Sequence, residues 1–151
     1  DEMDDFSVRP GVPNMYGAVG SKANAIEPNK RMLSSMCPTL VLKDNKPYII
    51  VGTPGGTTIP TSVIQTLVNL IDFKLSPLEA NSSPKFHHQW LPDVVAVEKD
   101  FPQALQDRLI AMGYILRLLD SIGRTELIVI DANGTIQAVA DIRGEDSVAG
   151  F

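Results

Sequence analysis

Runs of β-branched and other apolar residues, separated by short polar turns, predict five strands. The first two strands are joined by Asp44-Asn45-Lys46, and the last two flank Asn133-Gly134, a dipeptide typical of tight hairpin turns. The pattern therefore predicts one hairpin in each half of the chain and a single strand between them. The ranges predicted as strands are 39–43, 47–51, 94–98, 127–130 and 135–140.

Apolar residues spaced three and four positions apart predict two amphipathic helices, over residues 60–72 and 102–112. Pro60 suits a first helical turn, and Gly113 ends the second helix. A shorter helix begins after Ser76, a good N-cap, and extends to Ala80. The positions that form the apolar faces are Val63, Ile64, Leu67, Leu70 and Ile71 in the first helix, and Leu105, Leu109 and Ile110 in the second.

This order of hairpin, helix, helix, strand, helix and hairpin predicts one domain over residues 1–151, either a layered α/β or an α+β sandwich. The length of 151 residues and the 44% hydrophobic content are enough for a real core. The net charge of −5 and the absence of a basic stripe argue against a nucleic-acid partner. No apolar run is long enough to span a membrane. Cys37, the single cysteine, is expected to be a small buried apolar residue.

Residues 8–30 are rich in Gly, Pro and Asn and carry no clear helix or strand pattern. A long irregular segment inside a compact domain is uncommon, and it often covers a binding site. We therefore expect this segment to be a lid or a binding loop, and it contains Tyr16.

The adjacent glycines Gly55 and Gly56 follow the second predicted strand and precede the first long helix. Paired glycines allow successive N–H groups to converge on one point, where they can bind an anion or a developing oxyanion. The alternative is that they only turn the chain from strand to helix. Thr57 and Thr58 follow instead of a lysine, so the spacing is not that of a P-loop.

Three further groups of polar residues are candidates for binding. The acidic stretch from Glu2 to Asp5 could hold an ammonium group, or it could be a solvated terminus. The hydroxyls of Ser34 and Ser35 could bind a carboxylate, or they could cap an ordinary loop. His87-His88 would point to opposite faces of a strand, so we expect no metal at this pair, and no cofactor.

Five motifs stand out in order along the chain: Glu2-Met-Asp-Asp-Phe6, Pro10-Gly-Val-Pro-Asn14, Leu33-Ser-Ser-Met36, Gly52-Thr-Pro-Gly-Gly56 and Phe86-His-His-Gln-Trp-Leu-Pro92. With these motifs in this order, the chain resembles the small, catalytic subunit of γ-glutamyltranspeptidases over essentially its whole length. The resemblance implies an N-terminal-nucleophile hydrolase fold, an α+β four-layer αββα sandwich that is incomplete here. It also implies transfer of a γ-glutamyl group from glutathione or a similar donor to water, an amino acid or a peptide.

The resemblance also implies roles for individual residues. Glu2 and Asp5 would hold the α-ammonium group of the donor, and its α-carboxylate would be received by the serine pair. The glycine pair would stabilise the oxyanion, and Tyr16 would belong to the lid that covers the donor. The residues given these last three roles are Ser34, Ser35, Gly55, Gly56 and Tyr16.

The family nucleophile is a threonine at the free N-terminus of the small subunit, whereas this chain begins with Asp1. We therefore expect the chain alone to be inactive, with the nucleophile upstream in a parent protein that also supplies a large subunit. Two alternatives stay open: a cephalosporin (glutaryl) acylase of the same fold, and a non-catalytic amino-acid-binding homologue. Family habit leads us to expect a periplasmic or secreted protein.

Overall fold

The computed structural model describes residues 2–150, and the side chain of Glu2 is outside the description. It has an α+β architecture with two sheets and three α-helices. The helices are α1 (Ile59–Ile71), α2 (Pro77–Ser82) and α3 (Gln103–Ala111). The strands are β1 (Thr39–Lys43), β2 (Lys46–Gly52), β3 (Phe86–His87), β4 (Val95–Glu98), β5 (Leu116–Leu119), β6 (Glu126–Ile130) and β7 (Ile136–Val139).

The strands form a four-stranded antiparallel sheet in the order β1-β2-β6-β7 and a three-stranded sheet in the order β3-β4-β5. Both predicted hairpins are confirmed. Asp44 and Asn45 turn the first one with φ angles of 52° and 58°, which asparagine and aspartate tolerate better than most residues. Gly134, at φ 85°, turns the second.

Helices α1 and α2 cover one face of the four-stranded sheet and bury the main core against it. Because side chains alternate along a strand, Ile49 and Val51 of β2 enter this core while Ile50 faces outward. Helix α1 also contacts β3, so it links the two sheets. The core residues are Ile49, Val51, Val63, Leu70, Ala80, Leu127 and Val129, and the partly buried Cys37 packs beside them.

Two expectations from the sequence need correction. Strand β5 was not predicted, although it pairs in parallel with β4. The apolar face predicted for α3 is not buried within the described residues, since Leu105 and Ile110 are exposed there. The segment 8–30, which the structure describes throughout, contains no α-helix and no strand; its local structure includes a β-bridge between Pro13 and Val19 and a short 3-10 turn at Lys22–Asn24.

A buried ionic cluster fastens the second sheet to the C-terminal part of the chain. The Glu98 carboxylate of β4 accepts from Arg143 Nε at 2.6 Å and Nη2 at 2.7 Å, and from the backbone N–H groups of Lys85 and Ile122. Burial favours a higher pKa for Glu98, but these four hydrogen bonds outweigh it and place the pKa below its ordinary value. Burial, aided by Arg143, lowers the pKa of Lys85 to about 8.

We expect Glu98→Gln to lower the free energy of unfolding by about 3–5 kcal/mol, because it leaves two buried cations, Lys85 and Arg143, with Asp141 as their one remaining buried carboxylate. Glu27→Gln is the matched control. Glu27 pairs with Lys30 at 3.3 Å, but its side chain is 62% exposed, so the expected loss is below about 1 kcal/mol. Chemical denaturation measures both values, and equal losses would show that the buried cluster is not a special source of stability.

Candidate active site

The glycine loop, residues 53–58, connects the end of β2 to the start of α1. Gly55 has φ 141° and Gly56 has φ 57°, conformations that residues with a side chain rarely adopt. The loop is closed by two hydrogen bonds to the Gly55 carbonyl, one from the backbone N–H of Thr58 at 3.1 Å and one from its hydroxyl at 2.9 Å. Within residues 2–150, the N–H groups of Gly55 and Gly56 have no protein acceptor. The loop therefore presents two adjacent free donors.

A third glycine, Gly123, lies behind this loop and was missed in the sequence. A Cβ at Gly123 would lie 2.8 Å from Thr53 Oγ1 and 3.0 Å from Ser62 Oγ, so only glycine fits the close approach. The next residue, Arg124, donates its backbone N–H to Thr53 Oγ1 at 2.8 Å. These contacts hold the 123–124 backbone against the glycine loop.

The predicted lid, residues 8–30 and called the lid segment below, folds back on itself near Tyr16. Asn14 holds this turn, since its side-chain oxygen accepts from the N–H groups of Tyr16 and Ala18 at 3.0 Å each. The Tyr16 ring lies directly on Gly56: a Cβ at Gly56 would be 2.6 Å from two of the ring carbons. The structure thus brings the predicted lid tyrosine against the predicted oxyanion loop.

A cavity of about 460 Å³ lies between the N-terminal acidic segment, the lid segment and the glycine loop. Asp5, Ser35 and Thr57 all line it, although they are distant in sequence. This places a carboxylate, a hydroxyl and the glycine loop around one space. Ser34 is not among the residues that line the cavity; it is exposed, and its Oγ accepts from the Met36 N–H at 3.2 Å. The Glu2 side chain lies outside the described residues.

Asn24 joins the two halves of this cavity and was not predicted to be a site residue. Its Nδ2 donates to the Asp5 carbonyl at 2.6 Å, and its Oδ1 accepts from the Leu33 N–H at 2.8 Å. Its own carbonyl accepts from the Ser7 N–H at 2.9 Å. Asn24 therefore fixes the acidic segment relative to the serine pair. An asparagine in a loop rich in such residues gives no signal of this role in the sequence.

Gln89 is the third residue, after Gly123 and Asn24, to which the sequence analysis assigned no role. It lies just after β3, and its amide contacts both Thr57 of the glycine loop and the backbone of Tyr16. The neighbouring histidines separate as expected: His87 is buried in β3, whereas His88 is exposed and lies 3.1 Å from Asp93. A second cavity of about 470 Å³ is lined by Gly55 of the glycine loop together with Gln89, His87 and Arg117.

Taken together, the geometry can bind a small zwitterion next to the glycine loop, whose two N–H donors at Gly55 and Gly56 have no acceptor within residues 2–150. An ammonium group could reach the Asp5 carboxylate, and a carboxylate could reach the Ser35 hydroxyl. A carbonyl bound at Gly55 and Gly56 would have its developing negative charge stabilised by their N–H groups. Among the helices formed by residues 2–150, none is long and apolar enough to cross a membrane.

Comparison with known proteins gives a consistent answer. The family model described as gamma-glutamyltranspeptidase matches residues 1–151. The glutathione hydrolase proenzyme of Escherichia coli is 48% identical over 151 residues, which cover 99% of this chain and 26% of the relative. The chain therefore spans about a quarter of the length of this curated relative.

Solved structures agree with the sequence comparison. A γ-glutamyltranspeptidase from Pseudomonas nitroreducens complexed with L-DON superposes with a TM-score of 0.92 and 41% identity, over 100% of this chain and 80% of that one. The T380A mutant of the Helicobacter pylori γ-glutamyltranspeptidase gives a TM-score of 0.89 and 47% identity, over 95% and 79%. The chain belongs to the γ-glutamyltranspeptidase family.

Proposed function

We propose that the full-length protein containing this chain moves a γ-glutamyl group from glutathione or a similar donor to water, an amino acid or a peptide. The observation that carries the proposal is the pair of N–H donors at Gly55 and Gly56, which have no acceptor within residues 2–150. The residue that follows them, Thr57, lines the cavity that Asp5 and Ser35 also line. The acid and the hydroxyl fit the two ends of a glutamyl head group, and the N–H pair fits its γ-carbonyl.

The reaction proceeds in two steps, acylation of the enzyme and then deacylation. A hydroxyl nucleophile adds to the γ-carbonyl, the amide C–N bond breaks with protonation of the leaving amine, and an acyl-enzyme ester forms. Water or an acceptor amine then adds to the ester carbonyl, and the nucleophile leaves with its proton restored. Gly55 and Gly56 stabilise the tetrahedral oxyanion in both steps, and each donor contributes about 3–4 kcal/mol to transition-state stabilisation.

Thr57, which lines the cavity, does not have the features of the nucleophile. It is internal to the chain, so it has no free amine to act as a base, and its hydroxyl donates to Gln89 Oε1 at 2.7 Å. The family resemblance assigns the nucleophile to an N-terminal threonine of the small subunit. We propose that this group comes from elsewhere in the parent protein, together with a large subunit, as the proenzyme relatives support.

The exposed face of the four-stranded sheet indicates how the layers of the complete protein are arranged. Leu40, Ile50 and Ile136 point away from α1 and α2 and are 57%, 41% and 66% exposed among the described residues. An apolar sheet face of this kind packs against a second sheet in layered folds. We therefore propose a four-layer αββα sandwich for the complete protein, completed by strands from outside residues 2–150.

Replacement of Gly56 tests the oxyanion role. We expect Gly56→Ala to lower kcat for hydrolysis of γ-glutamyl-4-nitroanilide by about 100-fold or more, because the new Cβ overlaps the Tyr16 ring and displaces an N–H donor. Gly113→Ala is the control: φ is 93° there, but nothing lies within 4 Å of the added Cβ. If kcat falls by the same factor in both variants, the loss comes from backbone strain at positive φ and not from a displaced N–H donor.

Replacement of Asp5 separates γ-glutamyl transfer from glutaryl acylase activity. We expect Asp5→Asn to raise KM for γ-glutamyl-4-nitroanilide by about 10-fold or more, since the amide loses the charge that attracts the α-ammonium group. Glutaryl-4-nitroanilide lacks that ammonium, so its KM should not rise. Faster release from the glutaryl anilide by the unmodified protein would favour the acylase alternative, and no release from either substrate would favour a non-catalytic binding protein.

A further inference from the structure

We propose that Gln89 is a positioning residue that ties the lid segment to the glycine loop and so couples donor retention to oxyanion stabilisation. The inference rests on the proposed function and adds to it a residue to which the sequence analysis assigned no role. It is carried by the hydrogen bonds of one side-chain amide that reaches both parts of the site.

The orientation of the Gln89 amide follows from its surroundings. Its nitrogen lies 3.1 Å from the Tyr16 carbonyl and 3.0 Å from the Leu91 carbonyl, and both of these can only accept. The amide nitrogen must therefore face the lid turn. The amide oxygen then faces the Thr57 hydroxyl at 2.7 Å and His87 Nε2 at 2.8 Å, both of which must donate to it.

All four hydrogen-bonding positions of the amide are thus used, two toward the 89–91 turn and the lid and two toward the glycine loop and β3. His87 extends the same network, because its Nδ1 lies 2.8 Å from Thr61 Oγ1 on α1. Gln89 is consequently anchored by helix α1 and strand β3, two rigid elements, while it holds two loops.

Packing at the lid agrees with the hydrogen bonds. Gly17 follows Tyr16 at φ 77°, and a Cβ there would lie 3.3 Å from Pro92 Cδ and 3.4 Å from Gln89 Nε2. The lid turn therefore lies in contact with the 89–92 segment. Tyr16 makes two contacts with the site: its ring packs on Gly56, and its carbonyl accepts a hydrogen bond from Gln89 Nε2.

The two sides of the amide can be separated by substitution. Gln89→Glu keeps an oxygen for Thr57 and His87, but its second oxygen faces the Tyr16 and Leu91 carbonyls with no hydrogen to donate, so the tie to the lid is broken. Thr57→Val removes the hydrogen bond on the loop side and leaves the lid side intact. Thr57→Ser retains the hydroxyl and is its control.

We expect Gln89→Glu in the full-length protein to raise KM for γ-glutamyl-4-nitroanilide by roughly 10-fold with kcat within about 3-fold, because the lid holds the donor less tightly. Thr57→Val should change the other kinetic constant: kcat should fall by roughly 10-fold with KM nearly unchanged, because the glycine loop loses its hydrogen bond to Gln89. Thr57→Ser should keep both constants. Hydrogen exchange of the amides in residues 14–18 should accelerate in Gln89→Glu and not in Thr57→Val.

Gln65→Glu is the matched control for Gln89→Glu. The Gln65 amide also donates to two carbonyls, those of Thr61 and Phe86 at 2.7 and 2.8 Å, but it contacts neither the lid nor the glycine loop. This variant should lose similar hydrogen bonds and keep KM and lid exchange at the unmodified values. Equal effects in the two glutamate variants would overturn the proposal.

A second pair of variants tests the contact from the lid side if Gln89→Glu fails to fold. Gly17→Ala forces a Cβ against Pro92 and Gln89, whereas Gly11→Ala places one at φ 83° with nothing within 4 Å. Gly17→Ala should raise KM and lid exchange more than Gly11→Ala, and equal effects would contradict the proposal. If the unmodified protein cleaves the anilide but these variants behave alike, only this inference fails. If it cleaves no γ-glutamyl anilide, the proposed function fails, and hydrogen exchange still decides whether Gln89 holds the lid.

Discussion

The left-handed backbone at Gly55 and Gly56 is the constraint on which the rest of the site depends. It turns the chain sharply between β2 and α1 and leaves two adjacent N–H groups without a protein acceptor among residues 2–150. A side chain at either position would overlap a neighbour, Thr58 in one case and Tyr16 in the other. The loop can therefore keep its shape only if both residues are glycine and the surrounding segments are placed to match.

Those surrounding segments come from four separate parts of the chain. Gly123 lies behind the loop, Tyr16 lies on it, and the cavity beside it is lined by Asp5 and Ser35. Three amide side chains hold the connecting loops: Asn14 closes the lid turn, Asn24 joins the acidic segment to the serine segment, and Gln89 joins the lid to the glycine loop. Asn24 and Gln89 each use both the nitrogen and the oxygen of the amide to join two segments, which charged side chains cannot do equally well, whereas Asn14 uses only its oxygen.

The sequence predicts the parts of the structure that depend on local patterns. Both hairpins, the start of α1 near Pro60 and the Ser76 cap follow from turn and capping preferences, and the cap forms a capping box with Glu79. Strand β5 was missed because its four residues include a central arginine and its partner β4 is distant in sequence. The exposed apolar face of α3 shows that periodicity predicts the helix but not what covers it.

The candidate site also combines residues that sequence patterns predict with residues whose roles depend on tertiary contacts. Gly55, Gly56 and Tyr16 were singled out from motif and resemblance and do come together, and Asp5 and Ser35 line one cavity, whereas Ser34 lies outside it. Asn24, Gln89 and Gly123 could not be found, because their roles arise from contacts between residues far apart in sequence. The resemblance to a family identifies the motifs, whereas the structure shows which tertiary contacts hold those motifs in place.

The central claim is that the N–H groups of Gly55 and Gly56 form an oxyanion hole for a γ-glutamyl carbonyl. A crystal structure of the full-length protein with a γ-glutamyl phosphonate, which mimics the tetrahedral intermediate, tests it most directly. The account predicts one phosphonyl oxygen within about 2.7–3.1 Å of both nitrogens, with the α-ammonium group at Asp5. A phosphonyl oxygen that points to solvent or to other donors, with both N–H groups left free, would contradict it.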